Sequence, residues 1–452
     1  MKKNIAIYAS LFLMVLVGAS CNNDEETYTS NASPYAYAES FAIDNIAYPF
    51  HELNVDGEDV IVEKVVSGSE FKFVVDQKTK EIYNLDSLAY KTRVNKVVAT
   101  LSCVGAPYRY DETVGDYVYF YSTDSVDYTN PVKLLIKSTD ATFDNYYTIK
   151  INVHKVDPEL LVWEQFDDAA LENVSPAKMV EKDGFAYIFG ADASQAPVVA
   201  VSSLEGAPSW SVAPSLAPSA DFSTLQVFGG KFYILASGEL YASVDAISWE
   251  KVSAGEGFVS LFAVTENGSK MWAATAGEIL YTSDGENFIS TGAVPEGFPL
   301  YNTSCMTSSL TTNASISRAM LVGYASADAQ DKVKVWSCLS NNGEWYEYEL
   351  GANDNVCPAF EDLQVLGYDN AMFAFGGKAT VGERVLAPFE KMYVSRDNGI
   401  VWKPCNDYTL RLPKALKGYD AAVATMVSQG EYMWIATPST VWKGRINRLG
   451  FK

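Results

Sequence analysis

Histidine, cysteine and clustered carboxylates do most protein chemistry, and this chain uses them sparingly. It has two histidines, His51 and His154, in 452 residues. A histidine can serve as metal ligand or general base. These two stand more than 100 residues apart, with no cysteine or carboxylate at ligand spacing, and read as structural. No histidine follows residue 154, so the last two-thirds of the chain has neither a Ser-His-Asp nor a Cys-His arrangement. The six cysteines, Cys21, Cys103, Cys305, Cys338, Cys357 and Cys405, include no CxxC pair, which argues against a zinc site or dithiol centre. Neither a glycine-rich phosphate loop nor HExxH occurs. No metal and no cofactor is expected.

The densest polar constellation is "YVSRDNGIVW", Tyr393 to Trp402. As a calcium loop with Gly399 at its sixth position, it would put Val394 first and Cys405 twelfth, where carboxylates belong. The calcium reading fails. As a hairpin turn, each residue has a local task. Asp397 accepts backbone N–H groups, Gly399 takes positive φ, and Trp402 packs beneath.

The turn recurs as "VSSLEGAPSW" from Val201, "YASVDAISW" from Tyr241, "YTSDGENF" from Tyr281 and "WSCLSNNGEW" from Trp336. The first and fifth copies align without a gap, placing Ser203 on Ser395, Glu205 on Asp397 and Trp210 on Trp402. The others contribute Ser243, Asp245 and Trp249, then Ser283, Asp284 and Phe288, then Trp345. Each copy follows a shared strand, as in "KFYILASGELYAS" and "KMWAATAGEILYTS". The closing aromatics are spaced by 39, 39, 57 and 57 residues, and units of about 40–50 residues mark four-stranded propeller blades. The sixth unit runs out at Lys452 before its last strand, and "LVWEQF", Leu161 to Phe166, looks like that strand. An open sheet edge invites pairing with other chains, so the expectation is a six-bladed β-propeller over 158–452, closed by strand 161–166.

The repeated motif resembles the Asp-box, S-x-D-x-G-x-x-W, of sialidase-type (BNR-repeat) propellers, with Ala246 replacing a turn glycine and Phe288 replacing Trp. The resemblance implies a turn between outer strands, away from the ligand face. It also raises sialidase chemistry, which in that family uses an arginine triad, a Tyr–Glu pair and an Asp acid/base. Here "RLP" at Arg411 comes late, and of the other propeller arginines, Arg318, Arg384, Arg396, Arg445 and Arg448, Arg396 lies in the box turn and Arg445 and Arg448 in the C-terminal tail, which leaves too few to support a triad. A glycosidase carboxylate pair stays open. Ligand contacts are expected on insertions near 299–317 and 353–388, with Tyr301, Phe360, Arg384, Phe389 and Arg411 as candidates. Trp272 and Trp434 share a strand column with Tyr233 and read as blade core.

From Phe41 to about Asp157, runs such as "DVIVEKVV", "NKVVATLSCV" and "PVKLLIKS" alternate or are wholly apolar, with β-branched and aromatic enrichment. They predict an antiparallel sandwich over 41–157. The run from Ser125 to His154 resembles the end of bacterial immunoglobulin-like domains, where a turn leads into a hairpin of two long edge strands. The fold class is therefore all-β.

At the start, Lys2 and Lys3 precede an apolar run from Ile5 to Val17, then Gly18, Ala19, Ser20 and Cys21. This is a secretory signal over 1–20, too short to span a bilayer. It resembles a bacterial lipoprotein signal, with Gly18 where leucine is usual, and the resemblance implies acylation of Cys21. The "NNDEETYTSNAS" that follows resembles the surface-export signal of Bacteroidetes lipoproteins, and 21–40 reads as a flexible acidic tether. A net charge of −22 argues against a nucleic-acid partner and against adhesion to anionic lipid. The arrangement resembles an uncharacterised family of Bacteroidetes surface lipoproteins. The expectation is a monomeric, non-catalytic outer-membrane lipoprotein on the cell surface, held to the membrane by its lipid anchor. It captures a glycan or protein ligand at the propeller's loop face. The alternative is a divergent glycan-active enzyme, sialidase-like or another glycoside hydrolase.

Overall fold

The computed structural model describes residues 32–54, 59–215, 220–265, 269–327, 332–348 and 355–451. The signal segment and Cys21 lie outside the described residues, which form strands, turns and short 3-10 segments without an α-helix. The chain divides into two compact units, Met1–Tyr48 with Val65–Val153, and Pro49–Lys64 with His154–Lys452.

In the first unit, a three-stranded and a six-stranded sheet share one core. The larger sheet runs Phe73–Asp76, Glu81–Asn84, Asp144–Lys150, Val132–Lys137, Ala106–Asp111, Asp116–Tyr119 in spatial order. Alternation sets its faces: Leu134, Ile136, Tyr147 and Ile149 are buried, whereas Lys133, Lys137 and Tyr146 are exposed. The hairpin of Val132–Lys137 with Asp144–Lys150 forms, but in the centre of the sheet instead of at an edge. Glu81–Asn84 adds in parallel on one side and Ala106–Asp111 antiparallel on the other.

Among the described residues, the second unit has six four-stranded antiparallel sheets. In chain order their first strands are Ser175–Lys182, Ala220–Phe228, Phe258–Val264, Tyr301–Leu310, Gln364–Tyr368 and Thr425–Gln429. These strands touch in that cyclic order, and the last returns to the first, so the sheets form a ring, a β-propeller. Side chain–backbone hydrogen bonds join neighbouring sheets. Met179 N donates to Thr425 Oγ1 at 2.8 Å, Gln226 Nε2 to Leu261 O at 3.2 Å, Val365 N to Ser304 Oγ at 3.1 Å and Gln364 Nε2 to Ala424 O at 2.8 Å. Most second strands are nearly all apolar because both their faces are covered. Phe232 to Ala236, Met271 to Ala274, Ala371 to Phe375 and Met433 to Ala436 are all buried.

The sixth sheet is completed from the far end of the chain. Leu161–Asp167 pairs antiparallel with Thr440–Ile446 along its whole length, with Trp163 opposite Gly444. The indole lies on the bare glycine: a Cβ at 444 would sit 2.6 Å from Trp163 Cε3. Trp163 Nε1 donates to Arg411 O at 2.7 Å, which holds the ring in place. Gly444→Val is therefore expected to lower stability by about 1–3 kcal/mol through overpacking. The loss should be read as a lower urea midpoint, and an unchanged midpoint would contradict this seating of Trp163.

Candidate functional site

The first strands of all six sheets line the ring's axis, and two cavities lie along it. One, of about 340 Å³, is bordered by the beginnings of these strands. The other, of about 440 Å³, lies along their middles, and the two share Lys178, Thr303, Ser304, Val365, Leu366 and Met426. The strand beginnings are irregular. Register shifts fall between Pro176 and Lys178, Asp221 and Gln226, Phe258 and Ser260, and Tyr301 and Ser304. Such bulges re-aim side chains at sheet ends. Asn302 and Asp362, both bordering the first cavity, have φ of 46°, an uncommon backbone state that Asn and Asp tolerate best.

The cavity lining is largely polar: Ser223, Thr224, Ser260, Thr303, Ser304 and Gln364 stand beside the charged Lys178, Asp221 and Asp362. Lys178 has no hydrogen bond or ion pair among the described residues. Burial lowers the pKa of its ammonium, and Asp221 partly opposes that shift. Lys178 is half-buried and borders both axial cavities. Asp221 accepts from Ser223 N at 3.0 Å and from Ser223 Oγ at 2.6 Å. Burial, and then the charges of Asp420 and Glu361, raise the pKa of Asp362.

In each of the first five propeller sheets, the connection between third and fourth strands lies at the end away from this cavity. The repeated turns are there, and their polar groups are used locally. Ser395 Oγ donates to Asp397 Oδ1 at 2.8 Å and accepts from Gly399 N at 2.8 Å, while Val401 N donates to Asp397 Oδ1 at 2.9 Å. Trp402 is buried and donates from Nε1 to Gly399 O at 2.9 Å. Ser243 and Asp245 repeat the arrangement around Ala246, Ile247 and Ser248. In the third copy the hydroxyl is that of Thr282, not Ser283. Thr282 Oγ1 donates to Asp284 Oδ1 at 3.0 Å and accepts from Gly285 N at 2.9 Å. The first copy has no such carboxylate bridge: Ser203 Oγ accepts from Glu205 N, and Trp210 N donates to Asp168 Oδ2 at 3.0 Å. Trp345 is buried, Phe288 is half-buried, and Trp249 Nε1 donates to Ser215 Oγ at 3.0 Å. Gly285 seats its turn against the neighbouring sheet, since a Cβ there would overlap the Tyr233 hydroxyl.

Of the candidate contact residues, only Tyr301 borders the cavity. Phe360 and Phe389 are buried among core side chains, where no ligand reaches them without unpacking the fold. Arg384 pairs with Glu390 at 2.9 Å on the inserted hairpin of Ala379–Val381 with Arg384–Leu386. Arg411 is exposed and takes part through its carbonyl. Most of 299–317 is not an inserted loop but the first and second strands of the fourth sheet. No arginine borders either axial cavity among the described residues. Trp272, Trp434 and Tyr233 are buried. His51 stacks on Tyr408 at 3.7 Å and His154 on Phe451 at 5.4 Å. The five described cysteines are free, and burial pushes Cys305, Cys338 and Cys405 up to about 12. Lys178, Asp221 and Asp362 were not legible as site residues, because bulges and the order of sheets around the axis bring them together.

A closed ring of four-stranded sheets with a polar axial cavity defines a β-propeller domain. The DUF6242 beta propeller domain matches residues 157–452, and the DUF6242 N-terminal domain, a domain of unknown function, matches 41–151. The chain belongs to the DUF6242 family. No curated protein sequence matches it. Among solved structures it is similar to that titled "Structure of YjhT", at 10% identity and a TM-score of 0.40, over 62% of this chain and 95% of that one. It is also similar to the GH74 enzyme of Niastella koreensis, at 11% identity and a TM-score of 0.35, over 60% of this chain and 45% of that one. The β-propeller domain of the Trilobed protease from Pyrococcus furiosus follows at 10% identity and a TM-score of 0.32, over 62% and 100%.

The turn carboxylates set an acid limit. Hydrogen bonds lower the pKa of Asp284 and Asp245 below the ordinary aspartate value of 3.8, led by the Asn287 side chain for Asp284 and by Ser248 N for Asp245. Their contribution to stability is therefore present above the unfolded pKa and is lost as pH falls below about 3.8 toward the folded values. Asp284→Asn should be less stable at pH 7 and lose less additional stability than wild type on acidification. Parallel acid limbs in urea melts at successive pH values would contradict the assignment.

Proposed function

We propose that this protein is a surface-exposed outer-membrane lipoprotein, anchored through Cys21, whose six-bladed propeller binds a glycan or protein ligand without catalysis, as a monomer. Its box turns are Asp-boxes that stabilise the blades, and its N-terminal unit is an immunoglobulin-like sandwich. The observation that carries the reading is the axial cavity, where the unpartnered Lys178 ammonium stands among hydroxyl and amide side chains. Its volume of about 340 Å³ falls at the small end of ligand sites. Hydroxyl-rich lining suits a polyhydroxylated ligand, so the glycan is the preferred class.

A second reading, glycan hydrolysis, is favoured by Asp221 and Asp362 bordering the same cavity, with Asp362 held toward its protonated form. Two carboxylates flanking a bound sugar are the groups that glycoside hydrolysis uses. Among the described residues no arginine lines the cavity, which speaks against the sialidase version.

A glycan array combined with a hydrolysis screen tests both. Binding without turnover is expected, with affinity reduced about tenfold or more in Lys178→Gln, the scale of a lost charged hydrogen bond. Turnover that disappears in Asp362→Asn would replace this reading with the second.

A further inference from the structure

We infer that the outer face of the six-stranded sheet in the first unit is a separate binding surface for an acidic oligosaccharide. Register alone collects the aromatic side chains. Tyr108 stands opposite Tyr119, Tyr110 opposite Tyr117, and Leu135 opposite both Tyr108 and Tyr146. Directly opposed residues share a face, so five tyrosines stand on the side away from the core, and Tyr121 continues the row. Their rings are in contact: Tyr108–Tyr119 at 5.5 Å, Tyr110–Tyr117 at 5.3 Å, Tyr119–Tyr121 at 4.8 Å. Tyr117 and Tyr146, with two strands between them, approach to 6.3 Å. The edge hairpin therefore curls over the sheet and covers Leu135, which is 3% exposed.

Sheet stability accounts for the directly paired tyrosines. It does not account for Tyr121 and Tyr146, which are 57% and 54% exposed. None of the six phenol hydroxyls makes a hydrogen bond among the described residues. The buried tyrosines Tyr147, Tyr324 and Tyr368, by contrast, donate to Gln77, Phe360 and Glu431. The face thus offers ring surfaces for the C–H side of a pyranose and free phenols for its hydroxyls.

Charge selects the ligand further. In a chain of net charge −22, this face carries two exposed lysines without an ion pair. Lys133 Nζ lies 5.3 Å over Tyr110 and Lys137 Nζ 5.7 Å over Tyr108. Lys133 faces Thr148 in register and Lys137 faces Asp144, without a salt bridge, whereas Lys150 is neutralised by Glu81. Four residues along a strand put the two lysine Cα atoms on the order of 13 Å apart, so the pair can meet anionic substituents on different sugar rings. A protein partner fits less well. The face lacks the tryptophan, arginine and open aliphatic anchors that carry protein interfaces, and its one leucine is already covered.

The test is calorimetric titration of the full chain with polygalacturonate and with dextran sulfate, using neutral dextran as control. Both acidic polymers should bind, more weakly at higher salt, and the neutral one should not. Tyr119→Ala with Tyr146→Ala should weaken binding about tenfold, and Lys133→Gln with Lys137→Gln by a similar factor. Lys178→Gln should leave it unchanged, which separates this surface from the axial cavity. Unaltered melting of the lysine pair, both exposed, keeps the result from being one of folding. Failure of both acidic polymers to bind, binding insensitive to either pair, or a tyrosine-dependent protein complex in their place would overturn the inference.

Discussion

The strand pairing that closes the ring is the interaction on which the second unit depends. Leu161–Asp167 and Thr440–Ile446 meet from opposite ends of the unit, and Thr440 Oγ1 donates to Asp167 Oδ1 across 273 residues at 2.9 Å. The entropic cost of closing so long a loop grows only slowly with length, so one seven-residue ladder can offset it. Without that ladder the last sheet would expose an edge, and the contact of its first strand with the first sheet would lose its support. The axial cavity exists because the ring is closed. The Arg411 carbonyl, by fixing Trp163, serves this closure.

The two ends of the sheets use their polar groups differently. At the turn end, hydroxyls and carboxylates are consumed locally, as in Ser395, Asp397 and Gly399, and glycine lets a turn lie flush on its neighbour. Such a turn has little left to offer a ligand. At the other end, bulges interrupt the ladders, and Lys178 is left without a partner in a confined polar space. Unpaired groups of that kind are costly in a folded protein unless something satisfies them. In the proposed function, a bound ligand is what satisfies it.

The architecture was legible in the sequence because the repeat is local: an apolar second strand, a short third strand, a polar turn and an aromatic recur within one unit. The missing last strand of the sixth unit pointed to Leu161–Phe166 for the same reason. Details that depend on exact turn length slipped, as with Thr282, where a shorter hairpin moves the bridging hydroxyl by one residue. Phe360 and Phe389 looked like contact residues only because their segment looked like surface, whereas burial is decided by how the insertion folds back. Lys178, in "SPAKMVEK", reads as one polar position of an ordinary amphipathic strand. Only its place beside the axis and the adjacent bulge give it meaning. The central position of the Val132–Lys150 hairpin was hidden likewise, since its parallel neighbour Glu81–Asn84 is set by non-local pairing.

Hydrogen–deuterium exchange on the full chain, with and without a glycan ligand from the array, addresses the division between the two ends most directly. The expected result is protection confined, within the propeller, to the beginnings of the first strands, above all Ser175–Lys182 and Tyr301–Leu310, with exchange at 282–288 and 395–402 unchanged. Protection centred on those turns, with none at the strand beginnings, would contradict it.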